Sequence, residues 1–163
     1  MISLLVLAIL IFLNAFFAAA EIAFISLNDA KIDKQAKEGN KKAKKIRKML
    51  KEPSKFLATI QIGITLAGFL SSAFAADAFA SELAPKLNSL INLGINTWNT
   101  ISIIIITLIL SYFSLVFGEL VPKRIAMKNP EKIAFGSIGV IRLIHIIASP
   151  IVNFLNFSTN SIC

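Results

Sequence analysis

Cysteine is almost missing from this chain: Cys163 is the only one, and it occupies the last of 163 positions. That excludes an internal disulfide and a cysteine-based metal site. Histidine is as scarce, with His145 alone, and no nucleophile–base pair is visible, so nothing points to an enzyme. Charge is missing from whole stretches. Residues 1–20, 56–76 and 87–118 contain no Asp, Glu, Lys or Arg. Each is long enough for a span of ~20 residues. The first run also lacks the basic leader of a signal peptide and stays apolar to Leu27 apart from Glu21, so it reads as a retained helix.

What remains is 56% hydrophobic, with a mean hydropathy of +0.75. A soluble domain would be about 45–50% apolar. The composition therefore predicts an all-α integral membrane protein, or the membrane part of something longer, with residues 1–163 as a single domain. Three transmembrane helices are expected, over about 2–27, 53–80 and 99–120. Asn28-Asp29 offers an N-cap for a basic helical hairpin over 29–52, broken near Gly39-Asn40. Its Ile32, Ala36, Ala43, Ile46 and Leu50 would rest on a partner or on the bilayer. Pro53 suits the first turn of the second span. Between the second and third spans, Ser81, Pro85, Asn88, Ser89, Asn92, Gly94 and Asn96 predict a loop over 81–98, followed by Trp98 as an interfacial aromatic.

The net charge of +8 is uneven. Residues 31–51 hold ten of the seventeen Lys and Arg against two acids. Such a run raises nucleic-acid binding. Beside a span, however, it is the expected cytoplasmic flank in contact with anionic lipid headgroups, and no nucleic acid is expected. Segments 31–55 and 123–142 hold sixteen of the seventeen basic residues, and loop 81–98 only Lys86. Both basic segments should be cytoplasmic, which places the N-terminus outside and the C-terminus inside. In the last segment, 131–157, Gly136, Gly139, Arg142, His145 and Ser149 form a narrow polar stripe on an apolar helix. This suits an interfacial belt helix, with a fourth span as the alternative. His145 reads as part of that stripe rather than as a metal ligand.

Each span also carries a stripe: Gln61, Thr65, Gly68 and Ser72 in the second, Thr107, Ser111, Ser114 and Gly118 in the third, and Asn14, Glu21 and Asn28 in the first. At these spacings each stripe occupies one helix face. Small and hydroxyl residues also serve simple helix packing. The carboxylates shift the balance toward an ion path. Glu119 sits at the exit of the third span, three residues before Pro122. Pro122 has no N–H, so the Gly118 carbonyl would lose its partner. Carboxylates and freed carbonyls are the hard ligands that Mg²⁺ or Na⁺ prefers. By depth, at ~1.5 Å per residue, Ser114, Thr65, Gly68, Ser26 and Glu21 can meet Glu119 between the midplane and the cytoplasmic side, and Ser71 and Ser72, nearer the midplane, could close the site from outside. Glu21 is open to three roles: ion binding, pairing with Lys or Arg, or a protonated structural carboxyl.

At these residues the chain resembles a family. Ala18-Ala19-Ala20-Glu21-Ile22-Ala23-Phe24-Ile25-Ser26-Leu27 is similar to the first-helix signature of the CorC/CorB magnesium transporters, prokaryotic relatives of the cyclin M proteins. The stretch from Phe56 to Gly68 resembles their second helix. Phe117-Gly118-Glu119-Leu120-Val121-Pro122-Lys123, with Ala126 and Asn129-Pro130-Glu131, resembles their third-helix exit. The resemblance implies a homodimer in the cytoplasmic membrane, a Mg²⁺ site on the inner side, and Na⁺-coupled Mg²⁺ export. By position it singles out Ser26, Gly68 and Glu119 as Mg²⁺ ligands, Gly68 through its carbonyl alone. Relatives continue into paired cystathionine-β-synthase-type nucleotide-binding domains, which lie outside these 163 residues, so an isolated membrane domain is expected. The alternative is a non-transporting membrane module that senses Mg²⁺ or assists another transporter.

Overall fold

The computed structural model describes residues 2–90 and 95–162, and among these it is all helical. Asn92 and Gly94 of the expected loop lie outside the described residues, as does Cys163. The long apolar run becomes α1 (Ile2–Ile25). The basic hairpin is α2 (Asp29–Lys37) and α3 (Lys41–Leu50). Asn28 caps α2 by accepting from the Lys31 N–H, and Asn40 caps α3 by accepting from Lys42 and Ala43. Gly39, at φ +98°, makes the turn between them, a conformation that a side chain would resist.

The hairpin rests on protein. Ile32 and Ile46 are buried in one cluster with Phe24, Phe56, Ile60, Ala134, Ile138 and Ile141. The apolar stripe of a Lys-rich hairpin is thus used to fasten it to the ends of the bundle helices, leaving most of its lysines exposed.

α4 (Pro53–Leu90) is longer than expected and runs 38 residues, through Pro85. Residues 81–90, expected in a loop, are therefore helical. An interior proline removes one hydrogen bond and bends a helix without having to end it, and the flanking Ala and Leu residues are strong helix formers. α5 (Ile95–Leu115) leads into a π-helical turn (Val116–Leu120) and then α6 (Val121–Lys128). The break expected near Pro122 is a widened turn instead. The Val121 N–H reaches back five residues to the Val116 carbonyl. One inserted residue eases the clash between the Pro122 ring and the Gly118 carbonyl, and the helix continues.

α7 (Pro130–Ile162) completes the chain. Among the described residues four helices are long and apolar enough to cross a membrane: Leu5–Ile25, Pro53–Phe74, Asn96–Lys128 and Pro130–Thr159. This exceeds the three spans expected, because the polar stripe of α7 is too narrow to make its window polar. Near its start Glu131 pairs with Lys31 at 2.7 Å, just beyond the end of α1. Fourteen residues on, ~21 Å along the helix, His145 Nδ1 lies 2.7 Å from Thr59 Oγ1 in the second turn of α4. The Thr59 hydroxyl donates to the Lys55 carbonyl, so the ring donates from Nδ1. Both anchors belong to the end of the bundle that carries α2 and α3. The first half of α7 therefore crosses that basic end.

A polar cavity beside a widened helical turn

Two of the stripes face each other. Thr65, Gly68, Ser71 and Ser72 of α4, and Ser111 and Ser114 of α5, line one cavity of about 350 Å³ with Asn14 of α1 and Glu119 of the π-helical turn. Leu7, Ile11, Ile64, Phe69, Leu110 and Leu115 form its apolar walls. Five of the six residues expected at a metal site are thus together: Glu119, Gly68, Thr65, Ser71 and Ser114. A Cβ at Gly68 would meet nothing within 4 Å, as expected of a backbone that borders open space. The Ser71 hydroxyl donates to the Ala67 carbonyl at 2.8 Å, which spends its proton and leaves oxygen lone pairs for a cation.

Ser26 is the exception. It is exposed just past the last residue of α1 and does not line the cavity. Depth explains this: Ser26 lies twelve residues beyond Asn14, about 18 Å along the helix axis, whereas α1 lines the cavity only through Leu7, Ile11 and Asn14. Gln61 and Thr107, the outermost members of their stripes, also fall outside the lining.

The residue that sequence reasoning left off the ligand set is Asn14. It is buried, and its Nδ2 donates to the Gly118 carbonyl at 3.3 Å. That carbonyl is the one opposed by Pro122. Asn14 Oδ1 is also buried and has no partner. An unsatisfied buried acceptor is costly, and here it belongs to a residue bordering a cavity. The signal was present in the sequence: Asn14 is seven residues before Glu21 on the same face, and the freed Gly118 carbonyl needed a donor.

Electrostatics come from three side chains. Lys123 Nζ lies 2.8 Å from Glu119 Oε1 and 3.2 Å from Glu21 Oε2. Glu21 therefore takes the pairing role. The three are partly buried and carry a formal charge of −1 together. Among the described residues no group of three or more His, Cys, Asp or Glu side chains could hold a metal. A larger groove of about 810 Å³ lies between α1, α4 and α5, but its lining is apolar apart from Lys86, so it offers a cation nothing.

The long apolar helices define a multi-pass membrane protein of the cell membrane. Residues 5–163 match the cyclin M transmembrane N-terminal domain, and the chain belongs to that family. It is 38% identical to the UPF0053 protein sll0260 of Synechocystis, over 94% of this chain and 34% of that protein. It is 30% identical to the UPF0053 inner membrane protein YfjD of Escherichia coli, over 90% of this chain and 31% of that one. The polyamine export protein of Escherichia coli is also 30% identical, over 98% of this chain and 35% of its own length. The chain thus spans about a third of the length of the relatives it matches.

Proposed function

We propose that this domain carries Mg²⁺ across the cytoplasmic membrane, exporting it in exchange for Na⁺ through the cavity at Glu119. The observation that carries this reading is the convergence of one carboxylate and several hydroxyl oxygens on one cavity between three helices. Mg²⁺ is a hard cation that sheds water reluctantly and is commonly held by one or two carboxylates with retained waters. At about 30 Å³ per water, six first-shell waters need roughly 180 Å³. The cavity, about 350 Å³, accommodates the ion with much of its shell. A single carboxylate also suits a cargo, which must leave, better than a resident metal.

In this reading Glu119 supplies the charge. Asn14 Oδ1, Thr65, Ser71 and Ser114 supply neutral oxygens or hold the ion's waters, and Gly68 leaves room. The basic end faces the cytoplasm, where α2 and α3 contact anionic headgroups and the first half of α7 lies as a belt. Two copies form the working unit.

The test is Mg²⁺ flux into liposomes containing only this protein, together with calorimetric binding. Glu119→Gln keeps the size of the side chain and removes its charge, and should nearly abolish both. Wild-type affinity in that variant refutes the site. Binding without flux would instead support a Mg²⁺-sensing module.

A second reading rests on the relatives named polyamine export protein. The cavity's apolar walls and single carboxylate also suit an aliphatic polycation, with an ammonium at Glu119 and methylenes along Ile11, Ile64 and Leu110. Spermidine that displaces Mg²⁺ and is itself transported would favour this cargo.

A further inference from the structure

We propose that Lys123 is a resident counter-cation: it neutralises Glu119 while the cavity is empty and transfers to Glu21 when a cation enters. This rests on the reading that the cavity takes its cation at Glu119. Three observations carry it. Glu119 lines the cavity, whereas Glu21 and Lys123 do not, so Lys123 reaches the site from behind. Lys123 Nζ is within 3.2 Å of both carboxylates at once, slightly nearer Glu119. Transfer between them needs only side-chain rotation. Finally, the two acids come from different elements, Glu21 from α1 and Glu119 from the π-helical turn.

The chemistry follows from charge. Lysine presents a compact ammonium on a flexible stem, and all three of its protons are donors. It can change acceptors without a backbone movement. A dication at Glu119 repels the ammonium, and Glu21 is the acceptor already in place. The pair Lys123–Glu21 is then neutral, and Glu119 is free for the ion. The return of Lys123 to Glu119 displaces the ion from the carboxylate. Lys123 is therefore a positioning residue that competes with the cargo, which keeps the site from becoming a trap.

A purely structural Lys123 would tie α1 to α6, and its removal would weaken the site. The proposal predicts the opposite sign. Calorimetry with Mg²⁺ on the chain in nanodiscs, at fixed ionic strength, separates the two. Lys123→Met should tighten Mg²⁺ binding by about fivefold, the factor expected when a partly exposed ion pair of about 1 kcal/mol no longer competes. Lys123→Gln carries the same expectation should the Met variant fold poorly. Glu21→Gln removes the second acceptor, holds Lys123 on Glu119, and should weaken binding severalfold although Glu21 is outside the cavity. Combining Glu21→Gln with Lys123→Met should restore the tight binding of the single Lys123 variant. Weaker binding in Lys123→Met and Lys123→Gln, with Glu119-dependent binding intact in the wild type, overturns the counter-cation alone. Wild-type protein that binds no Mg²⁺, or binds it equally after Glu119→Gln, overturns the cation site and this proposal with it.

Discussion

Two glycines on α4 should respond to the same substitution with opposite signs. Gly63 lies against Phe17 of α1, and a Cβ there would stand 2.7–2.8 Å from three carbons of the ring. Real Cβ contacts do not come that close, so the ring or a helix must move. Phe17 is buried in the core cluster with Ala20, Phe24 and Ile60, which leaves the ring little room. Overpacking of this kind costs about 1–3 kcal/mol. Helix propensity returns up to about 1 kcal/mol on Gly→Ala. Gly63→Ala should therefore be destabilised by roughly 0–2 kcal/mol. At Gly68 nothing stands within 4 Å, so only the propensity term acts and Gly68→Ala should gain up to about 1 kcal/mol.

The two variants should thus differ by about 1–3 kcal/mol. Thermal unfolding in one detergent, followed by circular dichroism, measures the difference. Equal Tm values, or a more stable Gly63→Ala, would refute the claimed close approach of α1 and α4. The pair also has a functional reading. A displaced α1 carries Asn14 away from Gly118, so Gly63→Ala should lower Mg²⁺ affinity as well.

Other expectations follow from the same geometry. In a Cys163→Ser background, cysteine at Ser89 should label from outside intact cells and cysteine at Lys42 only after permeabilisation; external labelling of both would overturn the orientation. Cysteine at Ser161 in the same assay decides α7: a belt helix keeps it inside, and a fourth span exposes it. Neutralising Lys41, Lys42, Lys44 and Lys45 together should weaken binding to anionic vesicles, at about 1 kcal/mol per charge, and leave Mg²⁺ affinity nearly unchanged. Asn14→Ala loses one interhelical hydrogen bond, about 0.6 kcal/mol in a membrane, and also removes the unpartnered Oδ1, so Tm should move little while Mg²⁺ affinity drops. Ser102, fully buried with an unpartnered hydroxyl outside the cavity, is the control: Ser102→Ala should bind Mg²⁺ as the wild type does.

What could be read from the sequence was periodic. Thr65, Gly68 and Ser72 on one helix, and Ser111 and Ser114 on another, share faces because 3.6-residue spacing is a local property, and the two faces do meet. The caps Asn28 and Asn40 were equally legible, since capping needs only a side-chain oxygen and the next N–H groups. The failures arise where the outcome depends on another element. Residues 81–90 carry turn-forming side chains, yet stay helical beyond the apolar run. Ser26 matched a signature by position, but it lies about 18 Å along the axis beyond Asn14, the last α1 residue in the cavity lining. Periodicity also could not separate a membrane-lying α7 from a spanning one, because both bury an apolar face.

Pro122 shows most clearly why the site needed three dimensions. Alone it reads as a helix breaker. In the structure the missing N–H is absorbed by one widened turn, and the Gly118 carbonyl opposite it is held by Asn14 from α1. A Cβ on residue 118 would stand 3.0 Å from Asn14 Nδ2, so glycine is what allows the two helices to approach there. The next residue, Glu119, is displaced by the widened turn into a position where it borders the cavity and meets Lys123. The proline, the glycine and the asparagine therefore act as one unit: the proline frees a carbonyl, the asparagine fixes it, and the glycine permits the contact. What this unit positions is, among the described residues, the only carboxylate lining the cavity, the group on which the proposed cation site rests.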